Sequence, residues 1–376
     1  MRILIAGDLV PTAKNEQIFK NGLIDNLSDS FKKVWFNSEF RIFNLECPIT
    51  EPVNSIEKNG PSLSCAPSCI KGINDLNPSL LLLSNNHILD YGIDGLNSTI
   101  DILNTNDIPF TGIIKNNKVS NDGYILEKDN IKVGIYNVCD KEFSCATNDT
   151  IGTSYLSIKN NYLEINKLKK KCDYLIIIYH GGKEYYQYPT PELKELCEYF
   201  VELGGDIVIC QHSHCIGCEE KYKDGTIIYG QGNFIFDSDD SNILEKNSLI
   251  VDIEFTKEKY NLKYIPIEKS NNLVDLSKNN NIIKEFDKRT QMAKDYKKIE
   301  KEFNNFSFPI LNSYLSIFSK TTLLKRIINK FFIKNYYLKK YTKKDLIKIL
   351  NVIECEAHRE VLINALKLNI KRKNNR

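Results

Sequence analysis

At 376 residues, with 42% hydrophobic and 26% charged side chains, the chain is long enough to bury a sizeable core and has ordinary globular proportions. That excludes a disulfide-held or metal-held miniprotein and a collagenous or disordered chain, and no segment supplies the roughly 18 consecutive apolar residues of a spanning helix. The formal net charge of +3 hides a segregation: residues 1–270 carry 27 basic and 38 acidic side chains, and residues 271–376 carry 24 and 10.

Charges of −11 and +14 on adjacent segments of such unequal size predict two units with different surfaces, divided near residue 270. Along the first, short apolar runs recur at α/β spacing: RILIAG at 2–7, FRIFNLE at 40–46, SLLLLSN at 79–85, KVGIYNV at 132–138, DYLIIIYH at 173–180 and DIVICQH at 206–212. PELKELCEYFVEL, Pro191 to Leu203, predicts a helix with Pro in its first turn and Gly204 and Gly205 closing it. From Thr226 to Ile267 the pattern turns to strands, and Glu268 to Asn281, rich in Asn, Ser and Lys, reads as a loop or boundary. Beyond it, Thr321–Leu338 and Lys343–Leu368 read as helices, the second with Leu346, Leu350, Ile353, Ala357, Val361 and Ala365 at helical spacing and Thr342 with Asp345 as a capping pair.

Eleven cysteines, an odd number scattered through apolar runs, argue against a secreted disulfide framework. The opening MRILIAGDLVPT enters a strand at once, without a cationic stretch or cleavage site. A reducing cytoplasm is the expected location.

Four of the five histidines, His87, His180, His212 and His214, follow predicted strands, where α/β folds gather their active sites. Asp8, Glu46 and Asn86 occupy equivalent points on other strands. Imidazole, carboxylate and amide donors together suit two divalent ions such as Mn, Zn or Fe sharing a bridging carboxylate, and the substrate class natural to such a pair is a phosphate ester. Glu184 and Glu142, and Asn233 with Asp237, are expected substrate contacts or supports around the ligands. Asp90 and Tyr91 are expected to anchor their loop. Cys210, Cys215 and Cys218 invite a zinc-finger reading, which the lack of a second matching cluster disfavours.

The motifs GDLVPT at 7–12, NLECPIT at 44–50, SNNHILDYGIDGL at 84–96, HGGKEYY at 180–186, GGDIVICQHSH at 204–214 and IIYGQGNFIFD at 227–237 resemble, in order and spacing, the capsule-synthesis CapA family, implicated in poly-gamma-glutamate and capsular polymer formation within the calcineurin-like metallophosphoesterases. The resemblance covers roughly residues 1–267. It implies a four-layer α/β/β/α sandwich, to which the helical pattern beyond residue 281 adds a C-terminal helical extension. It also implies Asp8 and His214 on a first metal, Glu46 bridging, Asn86, His180 and His212 on a second, and His87 as general acid. Three departures stand out: Val10 where the superfamily has a His ligand, Glu46 for the shorter Asp, and Gln211 where Gly usually precedes the paired histidines.

Residues 321–344 mix apolar side chains with eight Lys or Arg and no acid. They read as a helical extension with a solvated Lys face or as a basic amphipathic helix on an anionic membrane surface; nucleic-acid contact is disfavoured. The chain is therefore expected to be a cytoplasmic or membrane-peripheral metal-dependent hydrolase acting on a phosphorylated or anionic polymer intermediate. The competing expectations are a non-catalytic assembly or polymer-binding component of a capsule synthase complex, and a nuclease.

Overall fold

A computed structural model of the chain describes all residues except 115–121, 148, 237–241, 319–334 and 375–376. The expectations placed on Asp237 and on 321–334 lie outside the described residues. Among them the chain divides into two compact units, Met1–Glu300 and Lys301–Arg376.

In the first unit the strands in chain order are β1 (Arg2–Val10), β2 (Phe40–Leu45), β3 (Leu80–Leu82), β4 (Phe110–Thr111), β5 (Ile113–Ile114), β6 (Tyr124–Lys128), β7 (Ile131–Cys139) and β8 (Gly152–Thr153). They continue as β9 (Tyr174–His180), β10 (Ile207–Gln211), β11 (Glu219–Tyr222), β12 (Gly225–Ile228), β13 (Asn233–Phe236), β14 (Asn247–Phe255), β15 (Tyr260–Ser270) and β16 (Leu273–Leu276). The helices are α1 (Glu16–Asn21), α2 (Asp29–Trp35), α3 (Ile70–Asp75), α4 (Gly92–Thr105), α5 (Ile158–Lys169), α6 (Pro191–Glu202), α7 (Asn281–Ala293) and α8 (Tyr296–Phe318), the last entering the second unit.

One sheet runs β16-β15-β14-β1-β2-β3-β4 with β13 also on β1; the other runs β11-β12-β10-β9-β7-β6. Strand alternation explains how they stack. Ile3, Ile5, Ile42, Leu80 and Leu82 of the first sheet share one apolar cluster with Val133, Ile135, Ile176, Ile178, Ile207 and Ile209 of the second. Their neighbours point the other way. Leu4, Phe43, Leu45 and Leu81 pack under Phe19, Phe31, Trp35, Ile73 and Leu96 of α1 to α4. Tyr136, Leu175, Ile177 and Val208 pack under Ile165, Leu168, Cys197 and Phe200 of α5 and α6. Helices, sheet, sheet, helices is the α/β/β/α sandwich that the sequence led one to expect.

Helix α6 begins as predicted, with the Thr190 side chain accepting from Leu193 N and Pro191 at the first position, and Gly204 at φ 108° follows its end. Residues 268–281 differ from expectation. Asn271 and Asn272 take left-handed backbone (φ 50° and 60°), which makes them a two-residue hairpin turn joining β15 to β16, with Ser270 opposite Leu273. The Asn-rich composition reports that turn.

Gly7 lets β13 run against β1, since a Cβ there would lie 1.9 Å from Gly232 O. Gly7→Ala should therefore cost about 3 kcal/mol or more and move Asp8 with it. Urea unfolding checks this; an unshifted midpoint would contradict it.

In the second unit α9 (Tyr336–Lys340), α10 (Lys343–Glu354) and α11 (Glu356–Asn374) follow α8. The capping pair is present: the Thr342 side chain accepts from Asp345 N, and Asp345 accepts from Thr342 N. The single helix expected over 343–368 is instead two, broken at Cys355, whose backbone is extended (ψ 114°). The expected stripe is split accordingly, and Leu350 and Val361 within it are exposed.

Candidate metal centre

Asp8 near the end of β1, Glu46 just past β2, Asn86 and His87 past β3, His180 closing β9, and His212 and His214 past β10 come together in space. Glu46 sits in two ligand groups: one with Asp8 and His180, the other with His212 and His214, the donor atoms of each group within 4.8 Å of one another. Asn86 Oδ1 lies 3.0 Å from His180 Nε2, and His180 Nε2 lies 3.2 Å from both Glu46 Oε1 and His212 Nδ1. The shared carboxylate is the one the resemblance implies, whereas Asp8 groups with His180 and His212 with His214.

Local backbone geometry presents these side chains. His212 and His214 both adopt left-handed backbone (φ 81° and 54°), a conformation costly to a branched or bulky residue and kept at functional sites. Gln211, a departure from the superfamily pattern, donates to Ala6 O and to Gln231 Oε1, and Gln231 in turn donates to Ile5 O and Leu249 O. The two amides tie one sheet to the other beside the ligands. Asp140 accepts from Tyr179 Oη and Gly182 N, fixing the turn after His180.

The titratable groups of the cluster act strongly on one another. Glu46 is fully buried, and neither of its carboxylate oxygens has a hydrogen-bond partner. Burial and the neighbouring Asp8 charge push its carboxyl up to about 8. Burial lowers His180, and burial together with the His180 charge holds His212 well below its usual value. His214 is raised: burial opposes its charge, but Glu46, Asp8 and the bond to Asn233 outweigh it. A buried carboxyl with no hydrogen bond to either oxygen, ringed by imidazoles, is a group that can hold a cation, and the carboxylate, imidazole and amide donors suit a divalent ion.

Around this cluster, Asn233 Oδ1 lies 2.8 Å from His214 Nδ1. Glu142 is exposed and Glu184 half-buried; each acts on His180 through its charge. Val10 is buried among the helix-side apolar residues and gives the cluster nothing. The cysteines at 210, 215 and 218 are unpaired and buried, and none enters a ligand group.

Four contributors were not singled out as site residues from sequence. Asn44 donates to Asp8 Oδ1 (2.7 Å), Asn85 donates to Asn44 Oδ1 (3.0 Å), and Asn85 Oδ1 accepts from His87 N and Ile88 N. The signal available for Asn44 was an amide within an apolar strand, and for Asn85 an amide just past one. Tyr185, left-handed at φ 58°, sets its ring 5.9 Å from that of His214. Lys58 pairs with Asp90, and its Nζ lies 3.0 Å from His87 Nδ1, which is 2.7 Å from Asp90 Oδ2. Asp90 also accepts from Leu63 N, so it does anchor the loop over 56–63 to the SNNH segment. Lys58 and Asp90 side chains are 2% and 0% exposed, so Lys58→Met leaves a buried carboxylate without its lysine, held by His87 and Leu63 N, and should cost about 3 kcal/mol. Denaturant titration checks this, and a change below about 1 kcal/mol would contradict it.

Comparison with known proteins adds the family. The model of the bacterial capsule synthesis protein PGA_cap matches residues 2–238, which include every residue of the two groups above. The chain belongs to that family. Among curated relatives of this PGA_cap member, capsule biosynthesis protein CapA of Bacillus anthracis is 29% identical over 210 residues, 54% of this chain and 51% of that one. PGA biosynthesis protein CapA of Bacillus subtilis (strain 168) is 24% identical over 236 residues, 61% of this chain and 62% of the relative. The matches thus span between half and two thirds of these relatives' length. Among solved structures, a hypothetical protein from Thermus thermophilus covers 71% of this chain and 99% of its own at a TM-score of 0.46 and 11% identity.

Proposed function

We propose that this chain is a metal-dependent hydrolase of phosphoesterase type that acts on a phosphorylated or otherwise anionic intermediate of capsule or surface-polymer biosynthesis, poly-gamma-glutamate being one candidate polymer. The observation that carries the reading is Glu46, buried with both oxygens unbonded at the meeting point of two ligand groups. Asp8, Glu46, Asn86, His180, His212 and His214 would hold two ions of Mn, Zn or Fe. Such ions supply an activated water and neutralise charge on phosphoryl oxygens.

The chain's own residues do the rest. Asp90 engages His87 Nδ1, which leaves Nε2 as the nitrogen able to pass a proton to the leaving oxygen. Asn85 fixes the His87 backbone, and Asn44 aims Asp8. Tyr185, 40% exposed beside His214, offers a ring face at the rim where substrate enters. The eleven unpaired thiols support the reducing location expected from sequence.

Hydrolysis of an aryl phosphate ester by Mn- or Zn-loaded protein tests the reading, and no hydrolysis above that of the free ion sinks it. A second reading keeps the fold without the chemistry, as an assembly component. Val10 favours it, because β1 then offers the cluster Asp8 alone.

A further inference from the structure

The described helices of the second unit leave large apolar side chains in water. Along α10, Ile347, Leu350 and Ile353 recur every third residue and are 56%, 57% and 46% exposed. Along α11, Leu362, Leu366 and Ile370 recur every fourth and are 37%, 52% and 55% exposed. Contiguous apolar stripes of this kind mark an interaction surface.

Charge says what covers them. Residues 335–374 contain ten Lys or Arg and four acids. At helical spacing Arg359 precedes the α11 stripe and Lys373 follows it, so cations close both ends of one apolar row. On α10, Lys344 and Lys348 border the exposed row. Protein-protein contact surfaces are depleted in Lys, whereas an apolar stripe framed by Lys and Arg suits lipid: the stripe enters the acyl boundary and the cations meet anionic headgroups. Among the described residues no helix is long and apolar enough to cross a membrane, so these helices would lie in its surface plane. We propose that α10 and α11 dock the protein on an anionic lipid surface through these two stripes. The inference stands apart from the metal centre.

Co-sedimentation of the full chain with phosphatidylcholine vesicles, with and without phosphatidylglycerol, tests it. Binding is expected to the anionic vesicles alone, to weaken as salt rises, and to fall about tenfold in the double variant Leu350→Asp with Leu366→Asp. Both positions are exposed, so circular dichroism should report unchanged helix content. No preference for anionic vesicles at low salt, or binding indifferent to the double variant, would overturn the proposal. A concentration-dependent dimer that the same variant abolishes, without vesicle binding, would overturn it too and assign the stripes to a second copy.

Discussion

Asp8→Ala and His212→Ala should each cut metal-dependent phosphoester hydrolysis by about a thousandfold or more, with the fold kept. Each supplies a donor to a different group around Glu46, and the two are also linked directly, His212 N lying 3.4 Å from Asp8 Oδ2. Removing Asp8 takes a carboxylate from beside Glu46 and strands the Asn44 amide that donates to it. Removing His212 leaves His180 without its neighbouring nitrogen. The check is kcat/KM at saturating Mn or Zn beside bound metal per chain. Lost activity with lost metal fits the account, and residual activity equal to the parent's contradicts it.

Trp35→Ala carries the largest expected stability effect. The indole is fully buried between sheet and helices, with ring centroids 4.9 Å from Phe234, 5.8 Å from Phe31 and 6.3 Å from Phe43, and Nε1 donates to Leu76 O. Deleting a buried aromatic costs about 3–5 kcal/mol, and the orphaned carbonyl adds about 1. Phe234 follows Asn233, which holds His214, so loosened packing here should also weaken the metal centre. Trp35 is the chain's only tryptophan, so the variant must be followed by circular dichroism. A midpoint shift worth under about 2 kcal/mol would contradict the packing argument.

The strand ends were legible because two independent patterns agree there. Alternation gives the layers, and a polar residue that breaks an apolar run gives the candidate cluster: Asp8, Glu46, Asn86 and the three histidines were picked out that way. Lys58 was not, because nothing in the loop over 51–66 marks a lysine that folds back onto Asp90; only tertiary structure supplies its partner. Asn44, inside β2, and Asn85, in the bend after β3, were passed over because an amide earns attention only when its neighbour is known. Asn271 and Asn272 carried a valid turn signal that composition alone left open between loop and boundary. The break at Cys355 has neither Pro nor Gly to announce it. The left-handed backbone at His212 and His214 is equally silent, since no glycine stands at either position.

Metal content of the purified full chain tests the central claim most directly. Elemental analysis after equilibration with Mn or Zn and removal of free ion should give about two ions per chain, and fewer in Glu46→Gln, because the shared carboxylate belongs to both ligand groups. A parent protein that retains no divalent ion, or a Glu46→Gln variant that retains as much as the parent, would contradict the account.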